Sequence, residues 1–183
     1  TDPPVQATVT QVEAMASQML QALQARDAQG QGEPGDAAAW AMVGRTLASV
    51  QRFAEAEKAM ARALALRPDD ASLLADRADL LALLQGGSAA GEPMALIQRA
   101  LAIDPDHPKA LALAGSAAWN RGETARAEQH WQRALAQLPP DSALARNLEA
   151  SLAEARQSRA GRTPAAPVAP SPGTTSAAAP TSP

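Results

Sequence analysis

The fold of this chain is decided by a pattern that occurs twice, in WAMVGRTLASVQRFAEAEKAMARALALRP (residues 40–68) and in LALAGSAAWNRGETARAEQHWQRALAQLP (residues 111–139). In each stretch a large residue, a glycine, two alanines and a proline follow at intervals of 4, 12, 7 and 5 residues. The two sets are Trp40, Gly44, Ala56, Ala63 and Pro68, and Leu111, Gly115, Ala127, Ala134 and Pro139. Met60 and Trp131 are bulky side chains at one further shared position. This degree of coincidence indicates a structural repeat.

These intervals are those of the tetratricopeptide repeat, a helical hairpin of 34 residues. Small side chains allow the two helices to approach closely, and the proline ends the second helix because it has no N–H to donate. A third, altered copy lies between the two; its positions are Leu74, Ala78, Leu81, Ile97, Ala100 and Pro105. Its extra length falls in the glycine-rich segment 85–91. That segment is either a tolerated insertion or a loop that closes on a partner.

Apolar periodicity predicts eight helices and no strand. The predicted helices span about 9–26, 37–50, 53–66, 71–84, 92–103, 108–121 and 124–137, with a last one that runs to about Ser158. Asp36 is the expected N-cap of the second helix, and Asp141 or Ser142 that of the eighth. The fold class is therefore all-α, a solenoid of three tetratricopeptide repeats with a capping helix at each end.

The domain limits follow from the same pattern. Residues 1–8 are expected to be a lead-in, 9–158 the repeat domain, and 159–183 a disordered tail. The tail is rich in Ala, Pro, Ser and Thr, so it lacks the apolar area needed to order itself. Since the chain has neither an initiator methionine nor a signal peptide, we expect it to be a processed product or a soluble part of a longer protein.

Composition excludes several classes of function. The chain has a net charge of −3 with both signs interspersed, so it lacks the basic stripe of a nucleic-acid surface. It has no cysteine, which rules out disulfides and thiolate chemistry. No apolar run reaches the length of a membrane span.

Catalytic, cofactor-binding and metal-binding residues are not found in the sequence. His107 is in a turn and His130 is within a helix, and neither has a second ligand three or four residues away. The acidic pairs before helices are explained by helix capping. Gly86-Gly87 is not followed by the Lys-Ser/Thr of a phosphate loop. We therefore expect a binding protein and not an enzyme, with no cofactor and no metal.

The binding surface is expected on the first helix of each hairpin, because these helices line the concave side of the solenoid. Small residues at the outward positions form the floor: Ala38, Ala41, Ala48, Ser72, Ala75 and Ala82. The candidate peptide-binding residues are Arg45, Ser49, Asp79, Leu83, Lys109, Ala112, Ser116, Trp119 and Asn120. Trp119 is the candidate anchor, with Arg45 and Asp79 as polar contacts. The alternatives are that Trp119 belongs to the core and that both charges are simply solvated.

Three stretches resemble one family: LLALLQGGSAAGEP (residues 80–93), IQRALAIDPDHPKAL (97–111) and WQRALAQLPPDS (131–142). They are similar to the periplasmic tetratricopeptide domain of the CycH-type (CcmI) cytochrome c biogenesis factors. The resemblance covers roughly residues 9–156. It implies a domain that binds apocytochrome c, or another haem-protein chain, and works with other maturation components in the periplasm. It also implies an inner-membrane anchor, in a segment that is absent from this chain.

The expected function is thus a binding module in c-type cytochrome maturation. It captures the C-terminal helical segment of apocytochrome c in its concave groove and presents it for haem attachment. The alternative is a general scaffold that assembles a protein complex without any chaperone role.

Deletion of residues 162–183 is expected to leave the helix content and the thermal midpoint unchanged, because the deleted segment has no apolar face to bury. Circular dichroism melting of the full and shortened chains tests this. A loss of several degrees on deletion would show that the tail packs against the domain.

Overall fold

The computed structural model of this protein describes residues 3–161, and this part of the chain is helical and contains no strand. The helices are α1 (Pro3–Ala28), α2 (Ala37–Ser49), α3 (Phe53–Leu66), α4 (Ala71–Leu84), α5 (Glu92–Ile103), α6 (Pro108–Asn120), α7 (Thr124–Leu135) and α8 (Ala143–Gly161). Helices α2 and α3, α4 and α5, and α6 and α7 form the three hairpins. Because α1 packs on α2 and α8 packs on α7, the predicted solenoid with two capping helices is confirmed.

Helix boundaries differ from the predicted ones mainly at the two ends of the domain. Helices α3, α4 and α5 have the predicted bounds, whereas α1 begins at Pro3, within the predicted lead-in. Proline is tolerated in a first helical turn, where its missing N–H has no partner to lose. Helix α8 continues to Gly161, and residues 162–183 of the predicted tail lie outside the described residues.

Side-chain caps start several of the helices. The Asp70 carboxylate accepts hydrogen bonds from the N–H groups of Ser72 and Leu73. Ser142, one of the two predicted caps of α8, accepts from the N–H of Ala145 at 3.2 Å. Asp36 is the N-cap residue of α2, as predicted, but it lies in a 3-10 turn and its side chain makes no capping hydrogen bond to the helix.

Asp36 instead closes its own turn. Its carboxylate accepts from the Glu33 N–H at 3.2 Å and pairs with Arg26 at 3.2 Å. The turn at residues 34–36 places Asp36 in helical conformation, and an N-cap residue needs extended backbone to aim its carboxylate at the first turn. The geometry of the turn therefore overrides the sequence preference.

In the first and third hairpins, the two helices pack against each other at the glycines of the repeat pattern. A Cβ atom placed on Gly44 would lie 2.9 Å from Met60 Cε and 3.2 Å from the Ala56 carbonyl oxygen. A Cβ placed on Gly115 would lie 2.3 Å from Trp131 Nε1. Met60 and Trp131 are both buried, so each glycine leaves the space that the bulky residue of the second helix fills.

Arginines join successive repeats on the second helices. Arg62, Arg99 and Arg133 each precede the second alanine of the pattern. Each donates to the element before its own hairpin. Arg62 donates to the Asp27 carboxylate at the end of α1 at 2.9 Å, Arg99 to the Pro68 carbonyl at 3.1 Å and Arg133 to the Pro105 carbonyl at 2.8 Å, the last two in inter-repeat connections. The Arg62 hydrogen bond holds the pKa of Asp27 below its usual range, although burial opposes this. The same position thus links the first hairpin to α1 and each later hairpin to the connection that precedes it.

The buried residues form two apolar clusters. The larger one extends from Ala16 of α1 through the first two hairpins to Ala110 and Ala114 of α6. The smaller one is built from α6, α7 and α8 around Leu111 and Trp131. Leu101 of α5 is partly buried against both clusters, and α6 contributes buried residues to both, so the core is continuous.

We expect Gly115→Ala to destabilise the domain, because the added methyl group would overlap the buried Trp131 indole. Overpacking costs about 1–3 kcal/mol, and the gain in helix propensity returns at most about 1 kcal/mol. Gly44→Ala should cost less, since its nearest neighbour is the flexible end of Met60. Urea denaturation tests both variants, with the exposed Ser116→Ala on the same helix as the control. A Gly115→Ala midpoint equal to that of wild type would contradict this account of the hairpin.

Candidate peptide-binding groove

The first helices of the three hairpins, α2, α4 and α6, are connected by a chain of ion pairs. Asp76 of α4 lies at its centre: one carboxylate oxygen is 2.8 Å from Arg45 Nε on α2, and the other is 2.8 Å from Lys109 Nζ on α6. Lys109 Nζ is also 2.9 Å from Asp79 on α4. Two of the predicted polar contacts, Arg45 and Asp79, therefore belong to one network with Lys109.

The members of this network differ in how far they are buried. The side chain of Asp76 is only 13% exposed, whereas that of Arg45 is 55% exposed. Burial by itself would lower the pKa of Lys109, but the charges of Asp76 and Asp79 and their hydrogen bonds outweigh it and raise that pKa above its ordinary value. Lys109 therefore stays charged in the groove at neutral pH.

The predicted groove residues fall into three classes by exposure. Arg45, Ser49, Leu83, Ser116 and Asn120 are exposed, and half of the Leu83 side chain is accessible. Asp79, Lys109 and Trp119 are half-buried. Ala112 is buried, as are the floor residues Ala41, Ala75 and Ala82.

Ala112 was predicted as a contact residue, but its side chain is only 7% exposed. Its carbonyl oxygen accepts hydrogen bonds from Trp131 Nε1 at 3.3 Å and from Ser116 Oγ at 3.1 Å. Ala112 belongs to the apolar cluster of α6, α7 and α8, so the accessible surface of the groove is narrower than the repeat pattern suggests.

Trp119 lies between the two roles considered for it. Its ring centroid is 6.1 Å from that of Trp131, with the planes tilted by 46°, and it packs against the smaller apolar cluster. The side chain is nevertheless only partly buried. One part of the ring thus belongs to the core, and the remainder faces solvent.

Sequence reasoning missed Asp76 and the role of His107. Asp76 is three residues before Asp79, so both lie on one face of α4, and that spacing was the available signal. His107 caps α6: its Nδ1 accepts from the Ala110 N–H at 3.2 Å, and its Nε2 lies 3.1 Å from Ser72 Oγ. This turn histidine therefore connects the start of α6 to the groove face of α4.

The enlarged segment 85–91 borders the groove at the C-terminal end of α6. Its residues, together with Met94, Ala117, Asn120 and Arg121, surround an open depression of ≈ 460 Å³. Asn120 is therefore shared between the predicted groove and this depression. The loop is placed where it could contact a ligand that extends past the end of α6.

No group of three or more histidine, aspartate or glutamate side chains within residues 3–161 could hold a metal ion. None of the described helices is both long enough and apolar enough to cross a membrane.

Comparison with known proteins gives a family match that covers most of the domain. Residues 29–145 match the family described as "Cytochrome c-type biogenesis protein H TPR domain". Over 142 residues the chain is 32% identical to the cytochrome c-type biogenesis protein CycH of Pseudomonas aeruginosa. That match covers 76% of this chain but only 35% of the relative, so the chain spans a minor part of the relative's length.

Solved structures with the same fold are more distant in sequence. MamA superposes with a TM-score of 0.62 at 15% identity, covering 88% of this chain and 87% of its own. The first TPR of Spaghetti (RPAP3), bound to the HSP90 peptide SRMEEVD, has a TM-score of 0.57 at 20% identity and covers 70% and 96%. Both likenesses confirm the tetratricopeptide fold.

The ion-pair network predicts a loss of stability at alkaline pH. The raised pKa of Lys109 means that its contribution is fully present below the pKa of the unfolded chain and disappears as the pH rises through the folded value. The chain has no tyrosine or cysteine, and Lys58 is the one other lysine, so few side chains titrate between about pH 9 and 12. Wild-type stability should therefore fall over this range.

Urea denaturation at several pH values measures this loss. Lys109→Met should be less stable than wild type at pH 8 but nearly insensitive to further alkalinisation. Lys58→Met, at an exposed position on α3, serves as the matched control and should retain the alkaline loss. Parallel curves for wild type and Lys109→Met would contradict the role given to the network.

Proposed function

This chain belongs to the family of CycH-type tetratricopeptide domains of cytochrome c biogenesis, and from that premise we propose that it is a binding module for apocytochrome c. It captures the C-terminal helical segment of the client in the groove of α2, α4 and α6. There it keeps the unfolded chain available while another maturation protein attaches the haem. The domain contributes binding and no catalytic step.

The observation that carries this proposal is the chemistry of the groove surface. Its buried floor is made of alanines, so a helix can lie close to it. Leu83 and the accessible part of Trp119 offer apolar contacts, while Ser49, Ser116 and Asn120 offer neutral polar ones. This combination suits an amphipathic peptide helix that buries one face. A tetratricopeptide domain of the same fold was solved with a bound peptide, which supports a peptide as the type of ligand.

The proposed compartment is the periplasm, with the full-length protein anchored in the inner membrane. The longer Pseudomonas relative leaves room for such an anchoring region outside the matched part. Other components of cytochrome c maturation are the proposed further partners, because the client must pass from this groove to the site of haem attachment.

Calorimetric titration with a peptide from an apocytochrome c C-terminus tests the proposal. Wild type should bind the peptide, and the same cytochrome folded around haem should bind far more weakly. Trp119→Ala should weaken the complex at least about tenfold, because an aromatic anchor is commonly worth about 2 kcal/mol or more. Gln132→Ala, at an exposed position on α7, is the matched control and should bind like wild type.

The result for wild type tests the function, and the result for Trp119→Ala tests the position of the site. No heat with wild type at millimolar peptide would contradict apocytochrome capture and favour the scaffold function. Equal affinity of wild type and Trp119→Ala would show that the peptide does not contact this ring. The depression beside segment 85–91 would then be the next position to test. Circular dichroism of Trp119→Ala and of Trp119→Leu, which retains an apolar side chain against Trp131, separates lost binding from lost folding.

A further inference from the structure

We propose that Asp76 sets the charge preference of the groove: by pairing with Arg45 and Lys109 it prevents the groove from binding acidic peptide segments. This inference rests on the proposed function, since it concerns the same surface. Asp76 was not among the groove positions that the repeat pattern indicates. It acts on a ligand through the two cations that it holds.

Asp76 is the carboxylate that pairs with both cations. Its two carboxylate oxygens point to different helices, one to Arg45 Nε and the other to Lys109 Nζ, each at 2.8 Å. Asp79 contacts Lys109 alone and is 37% exposed, compared with 13% for Asp76. Loss of Asp76 would therefore release Arg45 completely and Lys109 in part, whereas loss of Asp79 would leave both cations paired with Asp76.

The charge balance shows what that pairing does. Arg45 and Lys109 contribute two positive charges, and Asp76 and Asp79 contribute two negative ones, so this part of the groove is neutral. A third cation, Arg67, lines the depression beside Arg45 and is paired with Asp70 at 3.1 Å. An incoming carboxylate could reach the exposed guanidinium of Arg45, but it would gain little there, because Asp76 already balances the charge of this cation.

A ligand that drew Lys109 away from Asp76 would leave one oxygen of this mostly buried carboxylate without its cation, which is unfavourable. An acidic ligand would also lie against the Asp76 and Asp79 carboxylates, and like charges brought together in an interface select against the wrong partner. The groove should therefore accept helical segments whose buried face is apolar with neutral or basic polar residues. It should discriminate against segments that present glutamate or aspartate on that face.

Removal of Asp76 should reverse this preference. The probes are two synthetic, fluorescently labelled, alanine-based helical peptides of equal length, one with glutamate wherever the other has glutamine. With Asp76→Asn, we expect the affinity for the glutamate peptide to rise about tenfold over wild type, as measured by fluorescence anisotropy. The affinity for the glutamine peptide should stay within about twofold, and the gain should shrink at high salt.

Two further variants show where the gain originates. Asp76→Asn combined with Lys109→Gln removes the released lysine and should abolish most of the gain. Asp79→Asn should give a smaller gain in the same direction, and it replaces Asp76→Asn as the test if that variant fails to fold by circular dichroism. An unchanged or reduced affinity of the folded variant for the glutamate peptide would overturn the inference.

The synthetic probes keep this test separate from that of the proposed function. If wild type binds the apocytochrome peptide but Asp76→Asn does not gain affinity for the glutamate peptide, the inference on charge fails and the proposed function stands. If Asp76→Asn gains affinity for the glutamate peptide while wild type does not bind the apocytochrome peptide, the charge preference holds and the client has been assigned wrongly.

Discussion

The close contact between a glycine on the first helix of a hairpin and a bulky residue on the second is the constraint on which the rest of this structure depends. Gly44 with Met60, and Gly115 with Trp131, fix how near the two helices approach and how they are rotated about their axes. In the middle repeat, alanine replaces the glycine at 78 and isoleucine occupies the bulky position at 97, and both are buried. Once the rotation is fixed, the outward positions of α2, α4 and α6 must form one surface.

Most of the fold follows from intervals that can be read in the sequence. The spacing of glycine, alanine and proline gave the hairpins, and α3, α4 and α5 have the predicted bounds. The residue types that predict where a helix begins were less reliable. Asp36 has the preferred residue type for an N-cap but the wrong backbone conformation, while His107, a less usual cap, has extended backbone and a suitably placed ring nitrogen. Conformation around a turn depends on several residues at once, and a single residue type does not reveal it.

The groove was only partly predictable, for two physical reasons. The repeat pattern states which positions are expected to face outward, but packing within the stack buries some of them, as it does Ala112. The pattern also omits residues that contact other groove side chains without pointing into the groove. Asp76 is of this kind: its importance comes from contacts 31 and 33 residues away, to Arg45 and Lys109, which become visible only when α2, α4 and α6 are placed together.

The division of the apolar core has a mechanical consequence. Helix α6 contributes Ala110 and Ala114 to the larger cluster and Leu111 and Ala112 to the smaller one, so it is the element that both parts of the core share. Lys109 and Trp119 both lie on this helix, whereas Arg45 lies on α2. A peptide long enough to contact all three residues would connect the helix that both parts of the core share to the first hairpin, so that its binding would restrain the domain as well as fill the groove.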